Sequence, residues 1–304
     1  MITYLRTFGM AEKLPSEQGI TSGNIYLLNQ CYKLFVTPLL QIFWISVLCK
    51  STITLLPHWW NVGGRKLTFY LPNGECTITL EDFAYELGLP IDGDAVTGVT
   101  SMELNNVCLN LLGAIPTDRQ VIGQRIQMSW LDSTFQQLPE DADDIVIHQH
   151  ARAFILRMIS GFLMPNTSDS RVHLMYLPLL EDLSETFQYS WRFTVLVCLY
   201  RDLCRATLIS RQIEIGGCLL LLQSWAYNRI PMFAPRLHDN NIHLFPLVRR
   251  WSQHLITTNI IRSMLDCLRI NHFVWTPYKN MNFMGQIPDI ARARVPLISF
   301  ALVE

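Results

Sequence analysis

Five lysines, a run of acids, two close histidines, a glycine pair and an Arg-Arg-Trp triplet are the groups whose types and spacing could do chemistry. A lysine is needed wherever a Schiff base with a cofactor carries a reaction. Here Lys13, Lys33, Lys50 and Lys66 lie early in the chain, and Lys279 sits in a Tyr-Lys-Asn-Met turn. Glu140, Asp141, Asp143 and Asp144 could hold a metal or share acid–base work. They precede the apolar-periodic stretch Ile145–Met164, however, where acids complement the positive end of a helix dipole. No His or Cys is spaced with them as a metal site needs. Asp82, Glu181, Asp182 and Glu185 are the carboxylates open to a two-metal centre. Such centres have no fixed short spacing, and Asp82 already has a role at a helix start. His148 and His150 are two apart on an expected helix and so face different directions. His238 and His243 flank Asp239 in a loop without a nearby Cys pair. Gly216-Gly217 lacks the third Gly and the Lys-Ser/Thr of a phosphate loop, so close helix packing explains it better. The reading is no catalytic residue, no metal ligand and no cofactor site.

Charge distribution carries more functional content. From Asp132 to Glu185 nine acids face three arginines, whereas from Arg229 to Arg294 nine basic residues face three acids. Arg249-Arg250-Trp251 lies in the basic half, and arginine beside an aromatic suits phosphate contact with stacking. Val248, Trp251 and Leu255 recur at spacings of three and four, which places Trp251 on a buried stripe rather than on a base-stacking platform. Arg249 and Arg250 then flank that stripe, with guanidinium groups free for a carboxylate or a phosphate. They are the candidate contact residues.

The elements that must position these groups begin with Lys66–Gly98. Leu67, Phe69 and Leu71 alternate with polar neighbours, as a half-buried strand does. Pro72-Asn73-Gly74-Glu75 supplies a turn, and Cys76–Ile78 returns as a second strand. Thr79 can cap a helix whose first turn holds Glu81 and Asp82, Gly88 suits the left-handed C′ position, and Pro90 prevents continuation. Thr100-Ser101-Met102-Glu103 predicts another capped helix ending at Gly113, and Met128, Leu131, Phe135 and Leu138 predict a helix over Ile126–Leu138. Within Ile145–Met164 the stripe Ile147, Ala151, Phe154, Met158 and Phe162 should be buried, with Arg152 and Arg157 nearer the polar side. Val172–Leu183 reads as a helix interrupted by Pro178, and Ser190 as the cap of Trp191–Thr207. Gly216–Tyr227 is apolar almost all round and belongs inside a bundle. Arg229–Pro235 should be extended, Pro246 should open a helix over Leu247–Leu255, and Thr258 should cap Asn259–Ile270. His272–Thr276 and Pro296–Val303 read as strands. No linker or repeat divides Lys66 from Glu304, so the expected fold is one mainly α domain with a β-hairpin and two or three short strands.

Half of the 304 residues are hydrophobic and 16% are charged, which supplies a core and argues against disorder. A net charge of −1 excludes a uniformly polyanion-binding chain but not a local patch. Eight cysteines are scattered without a C-x-x-C pair, as expected of a reduced intracellular compartment. Leu34–Cys49 is sixteen uncharged residues between two lysines, short for a membrane span and interrupted by Pro38.

FYLPNGECTITLEDFAYELGLPIDGDAVTG (Phe69–Gly98) resembles the signature of the plant mobile domain family, the family of the maintenance-of-meristems proteins. Further segments match in order: LLGAIP (Leu111–Pro116), ARAFILRMISGFLMP (Ala151–Pro165), RVHLMYLPLLEDL (Arg171–Leu183) and YSWRFTVLVCLYRDLCRAT (Tyr189–Thr207). IGGCLLLLQSWAYNRIPMFAPR (Ile215–Arg236) and FVWTPY (Phe273–Tyr278) complete the set. The resemblance covers Trp59 to Glu304 and assigns 58–304 to the domain, ending before the family pattern does; 1–57 is left as a divergent or mispredicted segment. It implies a nuclear, non-enzymatic protein acting in meristem maintenance, transcriptional regulation and transposable-element silencing. Implied partners are a phosphatase-like protein or another plant-mobile-domain protein. A transposon-derived domain still touching DNA through its basic half is the alternative. The aminotransferase-like label sometimes given to the family finds no support in the lysines, and no small-molecule substrate or membrane association is expected.

Overall fold

The computed structural model describes residues 53–57, 65–71, 74–88, 93–98, 102–165, 170–208, 216–237, 246–251, 263–264, 267–279, 281, 298–299 and 302–303. Alternation over Arg65–Leu71 does form a strand, β2, which turns through Gly74 into β3 (Gly74–Cys76). Phe69 lies opposite Cys76, so the hairpin is registered as the sequence implies, although β3 stops two residues short of Ile78. A strand not expected from the sequence, β1 (Ile53–Pro57), pairs antiparallel with β2 and completes a sheet of order β1-β2-β3.

Helix α1 (Leu80–Leu87) follows directly. Thr79 Oγ accepts the Asp82 backbone N–H at 3.1 Å, and Asp82 Oδ2 accepts the Thr79 N–H at 2.7 Å, a reciprocal capping box. Gly88 closes the helix at φ 64°, a left-handed conformation that costs glycine little. Helix α2 (Leu104–Leu112) ends at Gly113 as expected, but Glu103 is the residue at its N-cap position rather than three residues inside the helix. The Glu103 carboxylate accepts instead from the Asn106 side chain. Thr100 and Ser101 lie outside the described residues.

Two expected helices give way to a second sheet of order β4-β5-β6 (Val121–Ile122, Arg125–Gln127, Arg171–His173). Ile126 and Val172, partners in the register, are both fully buried there. Helix α3 is therefore confined to Met128–Thr134, and the stretch after β6 forms two 3-10 turns, Leu174–Tyr176 and Pro178–Leu180. Proline at the first position of the second turn costs no hydrogen bond.

The acidic run is a helix start, as the dipole argument requires. Asp143 caps α4 (Asp144–Met158) by accepting the Val146 N–H at 2.8 Å. All five residues of the expected stripe are buried, the last in a π-helical turn, Ile159–Leu163. Arg157 is a correction: it is buried, not on the polar side, and pairs with Asp132 at 2.5 Å. Arg152 reaches across to the carbonyls of Leu111, Leu180 and Glu181.

Helix α5 (Trp191–Leu208) crosses β1 and β2, and α6 (Leu219–Arg229) packs against α1. Between them, Gly216 and Gly217 permit the close approach expected of the pair. A Cβ on Gly216 would lie 2.3 Å from Asp202 Oδ2, and one on Gly217 would lie 2.8 Å from Leu199 Cα. Trp225 of α6 meets Phe69 of β2 at 5.1 Å, which joins the bundle to the first sheet in one continuous core.

Beyond α6 the expected extended segment and strand are absent. Pro231–Phe233 and Ile270–His272 are 3-10 turns, and residues 273–276 are irregular. Leu247–Arg250 is a single 3-10 turn with Pro246 at its cap, and Trp251 is already extended. The expected strand near the C-terminus is a short hairpin, β7 (Ile298–Ser299) with β8 (Leu302–Val303). The architecture is mainly α, with small antiparallel sheets packed on it. Leu34–Cys49, His238, His243 and the expected cap Thr258 lie outside the described residues.

Candidate functional site

Asp82 and Glu86 are four apart on α1, so both carboxyl groups lie on one face of the helix. That face is turned into the protein, and both residues are completely buried. A buried carboxyl group must find donors or lose its charge. The donors come from α6 and from the turn that carries Tyr278. Arg229, the last residue of α6, donates from Nη2 to Asp82 Oδ1 at 2.7 Å and from Nη1 to the Trp275 carbonyl at 2.9 Å. The Val274 N–H donates back to the Arg229 carbonyl at 2.8 Å. Ser224 and Asn228, one turn apart on α6, donate to Glu86 Oε2 at 2.5 Å and Oε1 at 2.9 Å. Tyr278 Oη lies between the two acids, 2.8 Å from Asp82 Oδ1 and 3.0 Å from Glu86 Oε1.

Aromatic rings surround the node. Tyr278 stacks on Tyr85 with ring centroids 4.5 Å apart, and the Arg229 guanidinium lies within 6 Å of Trp225, Phe273 and Tyr278. These walls explain the electrostatics. Burial pushes Glu86 up to about 7, assisted by the neighbouring Asp82 charge and opposed by the hydrogen bonds from Ser224, Tyr278 and Asn228. Burial also opposes the charge on Arg229, but the adjacent Asp82 carboxylate outweighs it and raises the guanidinium above its ordinary value. Burial, with both carboxylates beside it, raises Tyr278 well above an ordinary phenol. Cys76, at the end of β3, is pushed up to about 12, chiefly by burial, so it remains a thiol. Two neighbouring carboxyl groups are formally a candidate acid–base pair. Here their oxygens are spent on protein donors, and the rings leave both acids without exposed surface.

Of the residues singled out from the sequence, Asp82 is part of this node and Arg250 is brought towards it. Arg250 is buried, and burial lowers its guanidinium while the Glu86 charge acts in the opposite sense. The Arg249 side chain lies outside the described residues. Trp251 is half-buried and packs edge-on against Tyr227 at 5.3 Å, on the core side as its spacing implies. The other carboxylates are scattered: Glu181, Asp182 and Glu185 are exposed, and Asp182 is bound by the Ser184 hydroxyl. His148 is exposed, whereas His150 is buried between the carbonyls of Val146 and Gln137. Lys279 is exposed, next to the node's tyrosine. Sequence reasoning missed Glu86, Ser224, Asn228, Arg229 and Tyr278 as a set, and weighed Asp82 only as a helix cap or a two-metal carboxylate. The available signal was two acids at helical spacing inside LEDFAYEL and a lone arginine closing an otherwise apolar helix.

A mainly helical domain locked by a buried carboxylate–arginine–tyrosine node is the class that fold and site define. The plant mobile domain family profile matches residues 52–304, and the chain belongs to that family. It is 36% identical over 251 residues to Protein MAIN-LIKE 2 of Arabidopsis thaliana, covering 78% of this chain and 37% of that protein. It is 36% identical over 270 residues to Protein MAIN-LIKE 1 of the same plant, covering 84% and 52%. Identity to the Arabidopsis Serine/threonine-protein phosphatase 7 long form homolog is 35% over 301 residues, covering 90% of this chain and 22% of that one. The chain thus spans between about a fifth and about half the length of these relatives. No solved structure matches significantly.

Proposed function

We propose that this chain is a non-enzymatic interaction domain. It acts in the plant nucleus in the processes that the family resemblance implies, namely meristem maintenance, transcriptional regulation and transposable-element silencing. What supports the reading is the state of the node: the groups that could do chemistry are buried and bonded to one another. The relatives' printed names add meristem maintenance and a phosphatase-named long form. Among the described residues, no helix is long and apolar enough to cross a membrane. The proposed partner is another plant-mobile-domain chain or a phosphatase-like protein, with Arg249 as the candidate contact residue.

The test uses the purified chain with two defined ligands, the mobile domain of the phosphatase-named relative and a random-sequence DNA duplex, each across a salt series. Partner binding that persists as salt rises, with DNA binding absent or weak, is the expected result. Arg249→Gln should weaken the partner contact only; Arg250 is left intact because it is buried. A duplex affinity with a steep salt slope that falls by about one unit on Arg249→Gln would overturn the proposal in favour of a DNA-contacting domain.

A further inference from the structure

The oxygens of the node need one more proton than the tyrosine can supply. Asp82 Oδ1, Tyr278 Oη and Glu86 Oε1 form a chain with separations of 2.8 Å and 3.0 Å. Both separations are hydrogen-bond distances, and a single phenol hydrogen can serve both only as a weaker three-centre bond. A phenol has one hydroxyl hydrogen, and an ionised carboxylate has none. Two full bonds therefore require a second proton on one of the acids, which also spares the buried pair a second charge. Asp82 already accepts from the Arg229 guanidinium, the Thr79 N–H and the Thr79 hydroxyl, so it is placed to be the acceptor end. Glu86 accepts from the neutral donors Ser224 and Asn228. The consistent arrangement runs from the Glu86 carboxylic acid through Oε1–H to Tyr278, and from Tyr278 Oη–H to Asp82.

That chain ties the turn at Tyr278 to α1 and, through Ser224, Asn228 and Arg229, to α6. We propose that it is a proton latch: protonated Glu86 fastens the Tyr278 turn to the two helices, and loss of that proton as the pH rises towards neutrality weakens the docking. The charged and titratable groups facing Glu86 are Asp82 on its own helix, Tyr278 on the turn and Arg250 beyond α6; Arg229 and Cys76 bear on Asp82. Asp82 opposes ionisation of Glu86, whereas Arg250 favours it. Burial in the closed node raises Glu86 from 4.5 to about 7, against the lowering pull of the Tyr278 hydrogen bond, so the closed node holds more protons than a wetted carboxyl group between those values. Undocking the turn wets Glu86, so docking weakens as the pH rises through that window and is flat above it.

Two measurements on the full chain test the latch. In the first, carboxyl carbon NMR of glutamate-labelled protein follows each resonance from pH 4 to 9, and the signal lost in Glu86→Gln is assigned to Glu86. It should titrate near neutrality. In the second, hydrogen exchange of peptides over residues 267–279 is normalised at each pH to peptides from α4. Protection of the turn should fall with pH in the wild type and stay level in Glu86→Gln, whose amide can still donate to Tyr278. Tyr278→Phe, which keeps the stacked ring, should lower protection at acid pH. A Glu86 resonance titrating in the ordinary carboxyl range would overturn the latch. So would a turn that keeps the wild-type pH dependence in Glu86→Gln, or one whose protection at acid pH is unchanged in Tyr278→Phe.

Discussion

Replacing Arg229 with methionine removes the cation that meets Asp82 among the described residues and leaves a similar volume of apolar side chain. In the wild type the pair is 2.7 Å apart, with the Asp82 side chain wholly inaccessible and that of Arg229 11% exposed. Water cannot take over from the lost guanidinium, because Asp82 has no surface to offer it. Breaking a buried pair by removing one partner costs about 3–5 kcal/mol, because the remaining charge is uncompensated. The variant also loses the hydrogen bond to the Trp275 carbonyl and the ring contacts to Trp225, Phe273 and Tyr278. For a domain of this size, 3–5 kcal/mol corresponds to a fall in Tm of about 10 °C. Urea unfolding should show a lower midpoint at an unchanged slope, the signature of stability loss without a change in compactness. The companion variant Asp82→Asn removes the stranded charge. The double variant should therefore be less destabilised than the sum of the two singles, by at least about 1 kcal/mol. A loss below about 1 kcal/mol for Arg229→Met, or an additive cycle, would refute the view that this pair holds the node together.

Two further substitutions probe the elements around it. Thr79→Ala deletes the hydroxyl that accepts the Asp82 N–H and donates to its carboxylate, and should lower stability by roughly 1 kcal/mol in thermal unfolding. Gly217→Ala places a methyl group 2.8 Å from Leu199 Cα on a residue with φ of 85°, so both contact and backbone oppose it; it should cost about 2 kcal/mol or more by denaturant midpoint.

How much was legible in the sequence follows from the range of the forces involved. The hairpin, the Thr79 cap, Gly88, Gly113, the acidic start of α4 and its buried stripe are set by residues within one or two turns of each other. Their signals are local, so a single sequence carries them. The second sheet was not legible because its strands are two or three residues long, too short for alternation to show. Ile126 looks like one step of a helical stripe until Val172, far along the chain, is known to lie opposite it. The same limit hides the node. Asp82 and Arg229 are 147 positions apart, and Asp82 and Tyr278 are 196 apart. Arg157 shows how local reading errs: its helical position gave a polar face, but the neighbouring α3 covers that face and supplies Asp132 as partner.

The node also accounts for something that hydrophobicity cannot. Helix α6 is buried on nearly every side, and α1 buries all but one of its residues. Neither helix has a wet face wide enough to fix its rotation about its own axis, so apolar burial alone would tolerate several rotations of one against the other. Hydrogen bonds do not tolerate them. Ser224 and Asn228 reach Glu86 only when their side of α6 faces α1, and Arg229 reaches Asp82 only when α6 ends level with the capped start of α1. A rotated pair would leave two buried carboxyl groups without donors, a penalty of several kcal/mol. The Tyr278 turn then closes the third side, because its phenol bridges both acids while Trp275 and Val274 bond Arg229. Rotation, level and turn position are thereby fixed together, with few polar atoms, by residues drawn from three separate parts of the chain.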